Sequence, residues 1–300
     1  MRKITLLIFL FLTAASGFCQ VGNYNQFPGI TPNHTLDAKL ENISFAYGLR
    51  LLESDYDGPF VRLRRASDNA QMDFGCNDVD MVDVDAINTW RAGSNVFVVT
   101  WYDQSGLGRH AQQPVLSRQP RFFPDPTNPY IVPENNSQYL DTQTNIQIAT
   151  NAGANATIVM VLRPVERVQY NFGNFRNNAE RWTPHMNWTS GQVFFDPGFC
   201  CATNRSFANR AFTDQWSQYT LQRGTTSILI RRNNTTQVSG AFPNRRYTLN
   251  QNFFLLAANT GGNPNLTSRS PMAEFIMYNT DIALSIITEI EEDQIAFWDL

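Results

Sequence analysis

The segment WSQYTLQRGTTSILIRRNNTTQVSGAF, Trp216 to Phe242, decides the fold class. Trp216 to Gln222 is rich in residues that suit a pleated strand, a glycine turn follows at Gly224, and Ser227 to Arg232 makes a second run. An Asn-Asn pair then tolerates the positive φ values of a tight hairpin turn, and a short return strand follows. Outward from this series, the same grammar repeats. NVFVVTWY reads as a strong buried strand, ATIVMVLRP (Ala156 to Pro164) as one apolar on both faces, and GQVFFDPG as a strand ended by Pro-Gly. NFFLLAAN and MAEFIMYN complete the set. The tail SIITEIEEDQIAFW has helical spacing at Ile286, Ile287, Ile290 and Ile295. Many strands at near-regular spacing, with helices only near the ends, predict an all-β fold: a two-sheet antiparallel sandwich with a few short helices.

Nearer the amino terminus, LDAKLENISFAYGLRLLES places Leu40, Ile43, Ala46, Leu49 and Leu52 at helical spacing and predicts a helix of about four turns. GPFVRLRRAS predicts a strand with one charged face, its Arg62, Arg64 and Arg65 pairing with acids such as Asp68 or Asp73. A short helix is expected near Asp85 to Arg91, with Asp83 or Asp85 as its cap.

The chain has 300 residues, within the range of one large sandwich. Arg2 and Lys3, the apolar run Leu6 to Ala15 and the small residues Ala14 to Gly17 read as a secretory signal. That run is shorter than the roughly 20 residues a bilayer span needs. Cleavage near Cys19–Gln20 is the expectation, with lipid anchoring at Cys19 as the rival. Residues 1–19 are then a signal peptide and 20–300 a single exported domain, secreted, periplasmic or at the cell surface, with no transmembrane segment.

A net charge of −3 and the lack of a basic stripe argue against a nucleic-acid partner. Lysine is scarce while Asn, Gln, Thr and aromatic residues abound, a set suited to glycans: amides bond hydroxyls and rings cover apolar sugar faces. Such a composition equally suits a merely polar β surface. No cofactor is expected. Asp78, Asp80, Asp83 and Asp85 invite a structural calcium ion, but their spacing is not that of a calcium loop, and capping and turn roles account for them. His34, His110 and His185 lack zinc-type spacing. Of the cysteines beyond Cys19, adjacent Cys200 and Cys201 can close on each other, or Cys76 can pair with one of them.

AYGLRLLESDYDGPFVRLRRASDNAQMDFG, VTWYDQSGLGRHAQQ and RQPRF, spanning roughly Phe45 to Phe123, resemble the catalytic domain of α-L-arabinofuranosidase B and its bacterial relatives. Those carry an Ala-Tyr-x-Leu-Arg helix, a Gly-Pro-x-x-Arg-x-Arg-Arg strand and a Tyr-Asp-Gln-Ser-Gly-x-Gly turn. The second half resembles a laminin-G-like, concanavalin A-like jelly roll. The resemblance implies a sugar pocket and an arabinose-containing substrate. It places Asp196 of FFDPGF on a family Asp, but the nucleophile, two residues on, falls on Gly198, and the acid falls on Asn263 of TGGNPN. Retaining glycosidases need two carboxyl groups about 5 Å apart. The resemblance therefore implies glycan binding with little or no hydrolysis; an active arabinofuranosidase and an adhesion module without a sugar ligand are the alternatives. Asp196, Glu180 and Glu274 remain as acids for any new pair. Asp196, Asn263, His185 and one of Trp182 and Trp188 are the expected sugar contacts, against a surface-loop role for His185, a simple turn for Asn263 and sandwich core for the tryptophans. Asp103 is expected to hold its turn or to meet a ligand.

Overall fold

The structure is a computed structural model, and it describes residues 34–258 and 267–300. The expected signal segment and Asn263 lie outside the described residues. The rest is an antiparallel β sandwich with short helices. One sheet runs in the order β1 (Ile43–Gly48), β18 (Met272–Tyr278), β9 (Ala156–Leu162), β14 (Ser217–Arg223), β15 (Ser227–Arg232) and β16 (Thr235–Ala241). The other runs β3 (Gln71–Phe74), β2 (Val61–Arg65), β4 (Val96–Trp101), β5 (Ala111–Gln112), β8 (Leu140–Asn145), β17 (Asn252–Leu255), β10 (Phe172–Phe175), β11 (Arg181–His185), β12 (Gln192–Gly198) and β13 (Ser206–Ala208). Short strands β6 (Arg121–Phe123) and β7 (Tyr130–Val132) connect β4 to β18.

The Trp216 to Phe242 series folds as its sequence dictates. Asn233 and Asn234 take φ of 43° and 58°, the left-handed pair that a two-residue hairpin turn needs. Strands β9 and β18 are apolar almost throughout because both their faces are covered. Ile158, Met160, Phe275 and Met277 point into the main core between the sheets. Val159, Ile276 and Tyr278 point outward into a smaller core under the closing helix α3 (Leu284–Trp298), where Ile290 meets them.

The segment Leu36 to Ser54, expected as a helix, builds a strand instead. Residues Ile43 to Gly48 are buried on both sides: Phe45 and Tyr47 enter the main core, Ile43 and Ala46 the smaller one. A doubly covered strand takes apolar residues on both faces, so its sequence satisfies helical spacing by accident. The helix α1 (Val84–Arg91) is present, and Asp83 caps it by accepting from the Ala86 amide at 2.9 Å. A further single-turn helix, α2, covers Ile146–Ala149. Arg62 pairs with Asp73 and Arg65 with Asp68, whereas Arg64 is turned inward to Gln119 and Asn69.

Candidate functional site

The turn after β4 is structural in its bonding. Asp103 is buried, and its carboxylate accepts from the amides of Ala46, Ser105 and Arg109 and from the Ser105 hydroxyl. Gly106 and Gly108 supply the positive φ that the turn requires. Gln104 beside it bonds Leu52, Gly48 and Arg50 backbone groups, so the turn clamps β1 to the chain that follows it. Both carboxylate oxygens of Asp103 are engaged within the turn and its neighbours.

The chemistry collects elsewhere, on the outer face of β10, β11 and β12. In β11 and β12 alternate residues face opposite ways. Trp182, Met186, Val193 and Phe195 enter the main core. Arg181, Thr183, His185, Phe194 and Asp196 face outward, with Thr183 opposite Asp196 and His185 opposite Phe194 in register. This alternation corrects the expectation for Trp182. Its ring is fully buried against Phe195 and Phe253, so it cannot serve as a platform for a sugar. Of the two tryptophans, only Trp188 is partly exposed; it sits edge-on to His185 at 4.4 Å.

Asp196 is the centre of the outer face and is itself fully buried. Arg181 Nη2 reaches its carboxylate at 2.9 Å and Arg205 Nη1 at 2.6 Å. Two guanidinium groups thus share one carboxylate, leaving surplus positive charge. His185 is packed behind them. Since arginine only donates, His185 Nε2 must accept from Arg181 Nη2 at 2.5 Å, and Nδ1 donates to the Gln169 carbonyl at 2.6 Å. Burial first, and then the nearby Arg181 and Arg205 charges, push the imidazole pKa down to about 3. His185 is therefore a neutral prop for Arg181, in a strand rather than in a surface loop. Two polar atoms on this face, Arg181 Nε and Thr183 Oγ1, are buried without a hydrogen-bond partner among the described residues. Each such group costs about 1–3 kcal/mol when left unsatisfied.

Aromatic rings frame the charges. Tyr170 stacks on Phe175 at 4.9 Å, Arg181 lies over both rings, and Arg205 lies 4.5 Å over Phe194. Cys200 and Cys201 form a disulfide with each other, which removes both from pairing with Cys76; Arg205 Nη1 lies 3.9 Å from Cys200 Sγ. Arg181 and Arg205 carry no sequence motif. The one signal for Arg181 is the polar–apolar alternation of RWTPHM, Arg181 to Met186. Nothing local marks Arg205, which reaches Asp196 from the loop beyond β12.

Gly198, where the resemblance puts a nucleophile, has φ +115°, and a Cβ built there would run into the Arg245 carbonyl oxygen. The other candidate acids are dispersed. Glu180 is taken by the Thr248 amide and hydroxyl. Glu274 lies on the other sheet, bonded to Arg50, Gln294 and Trp298. In the acidic stretch, Asp80 meets His34 and Asp83 is the helix cap; among the described residues no three His, Cys, Asp or Glu side chains converge as metal ligands.

Among solved structures, the chain is similar to an arabinofuranosidase complexed with arabinofuranosyl-α-1,2-xylobiose, with TM-score 0.65 and 15% identity over 84% of this chain and 62% of that one. A GH54 α-L-arabinofuranosidase soaked with a cyclic sulfate inhibitor gives TM-score 0.62 and 15% identity over 84% and 62%. A mutant GH54 α-L-arabinofuranosidase soaked with 4-nitrophenyl α-L-arabinofuranoside gives 0.61 and 16% over 85% and 63%. At such identities the likeness establishes a shared sandwich fold. The chain spans less than two thirds of the length of these enzymes. No family model matches it, and no curated protein matches it in sequence.

Proposed function

We propose that this chain is an exported carbohydrate-recognition protein that binds arabinose-containing or other plant or microbial glycans on the outer face of β10 to β12, with little or no hydrolysis. Trp188 and Phe194 supply rings for sugar faces, and Asp196 positions the two arginines beside them. Asn263 belongs to this proposal as a hydroxyl contact. The observation that carries the reading is Gly198. Covalent glycosyl transfer needs a carboxylate nucleophile opposite an acid. At Gly198 there is neither a side chain nor room for one, since the Arg245 carbonyl occupies the direction a Cβ would take. Asp196 offers no substitute, because both its oxygens are held by arginine. Export is supported by the Cys200–Cys201 disulfide, a bond that persists in oxidising compartments. No described helix is long and apolar enough to cross a membrane.

The test pairs binding with turnover on the purified chain. Retention on arabinan or related glycans, with no arabinose released from arabinan or from an aryl arabinofuranoside above the level of a heat-treated control, is the expected result. Release at enzyme-like rates that disappears in Asp196→Asn would establish the hydrolase instead. Failure on every glycan of a broad array, with retention on a protein, would establish an adhesion module.

A further inference from the structure

We infer that the glycan recognised on this face is anionic, carrying the carboxylate of a uronic acid or a sulfate ester; the inference rests on the glycan-binding reading above. The chain as a whole is acidic, at −3. The surface around the end of β12 is the reverse. Arg181 and Arg205 share the single carboxylate of Asp196. Arg205 is 20% exposed, and among the described residues only its Nη1 has an acceptor, so Nε and Nη2 have none. Arg245 continues the surface: its backbone abuts Gly198, its guanidinium lies 5.0 Å over Phe199, and Nη2 bonds the Ala179 carbonyl. Arg246 follows it in the chain and Arg176 precedes the turn whose Ala179 carbonyl it bonds, both exposed. Neither they nor Arg245 form a salt bridge among the described residues. Besides Asp196, the nearby acid is Glu180, and Thr248 holds its carboxylate.

Arg181, Arg205 and Arg245 therefore bring three guanidinium groups against the two carboxylates of Asp196 and Glu180, on a surface that also carries Phe194 and Phe199, with Trp188 at the other end of β12. A planar guanidinium with two free parallel N–H groups matches a carboxylate or sulfate edge. Aromatic rings beside it cover the apolar face of the sugar bearing that acid. The buried and unpartnered Arg181 Nε and Thr183 Oγ1 add donors on the same face. A neutral arabinan would use the rings and leave the charge surplus unanswered.

The experiment is calorimetric or affinity-gel titration of the full chain with polygalacturonate, carrageenan as a sulfated galactan without uronic acid, neutral linear arabinan, and single-stranded DNA as a polyanion whose charge is phosphate. An acidic glycan is expected to bind at least roughly tenfold tighter than arabinan, the worth of one charge-assisted contact, with affinity falling as salt rises. Which acidic glycan wins distinguishes carboxylate from sulfate. Arg205→Gln and, independently, Arg245→Gln at an exposed position should each weaken acidic-glycan binding by roughly threefold to tenfold. Arg62→Gln, on β2 at the far end of the same sheet and paired with Asp73, should not. Two variants are used because Arg205 also neutralises Asp196, and its loss can unfold the loop; a melting curve separates the two effects. Arabinan binding as tightly as the acidic glycans overturns the inference and leaves the glycan-binding reading intact. Retention of no glycan at all overturns both. DNA binding as tightly as the acidic glycans, or unchanged affinity in both arginine variants, overturns the inference.

Discussion

Asp196 and Asp103 are both buried carboxylates with every oxygen engaged, yet they do different work. Asp103 is satisfied by backbone amides and one hydroxyl, so it fixes the path of a turn. Asp196 is satisfied by side chains that themselves reach outward, so it fixes the position of charge. His185 is the third member of that arrangement and gives it a pH dependence. Its folded pKa of about 3 lies below its ordinary value of 6.5. Between those two values the unfolded chain binds a proton that the folded chain does not. Stability is therefore fully present above pH 6.5 and falls as the pH drops toward 3, at up to about 1.4 kcal/mol per pH unit from this one group. His185→Gln keeps an acceptor for Arg181 but cannot titrate. Urea unfolding of both proteins from about pH 7 to about pH 4 should show a shallower decline in the variant by about one proton. Parallel declines would mean that His185 is not held neutral against Arg181.

At the scale of elements, what is legible in the sequence depends on how many faces are covered. The β14 to β16 hairpins and β9 show their nature because turn residues bracket them and strand-favouring residues fill them. β1 misleads because two cores claim it, and a sequence apolar on both faces has no clear period to read. The site is half legible: Asp196 emerges from the resemblance, but its partners Arg181 and Arg205 do not, because pairing across β11, β12 and a loop is a tertiary fact. The tail segment is legible as a helix but not as a lock. α3 delivers Glu291, Gln294 and Trp298 onto the outer face of the first sheet. There Glu291 meets Arg231 at 2.9 Å, and Gln294 and Trp298 meet Glu274, which Arg50 neutralises at 2.7 Å. Removing Glu274 would leave Arg50 buried with only Asp293 to answer its charge. Glu274→Ala should lower the unfolding free energy by about 3–5 kcal/mol, whereas Glu274→Gln, which still accepts hydrogen bonds, should cost less. Equal small losses in both variants, measured by denaturant unfolding, would show that α3 is held by its apolar face alone.

Across the whole molecule the two outer faces have opposite character. α3, on the first sheet, carries Glu289 and Glu292 exposed to solvent. The proposed glycan face, on the second sheet, carries the arginine surplus. A net charge of −3 alone would predict repulsion of any acidic polymer. That prediction fails when charges of opposite sign are segregated by the thickness of the sandwich. Packed sheets lie about 10 Å apart, so side chains on opposite outer faces are separated by more than the Debye length of about 10 Å at roughly 0.1 M salt. An acidic ligand on the β10 to β12 face should then be nearly blind to α3. The double variant Glu289→Gln, Glu292→Gln should change affinity for polygalacturonate by less than roughly twofold at about 0.1 M salt. At about 0.01 M salt, where the screening length grows to about 30 Å, the same variant should bind measurably tighter than the parent. A large gain already at the higher salt would place the ligand beside α3, on the wrong face of the sandwich for the arginine cluster to hold it.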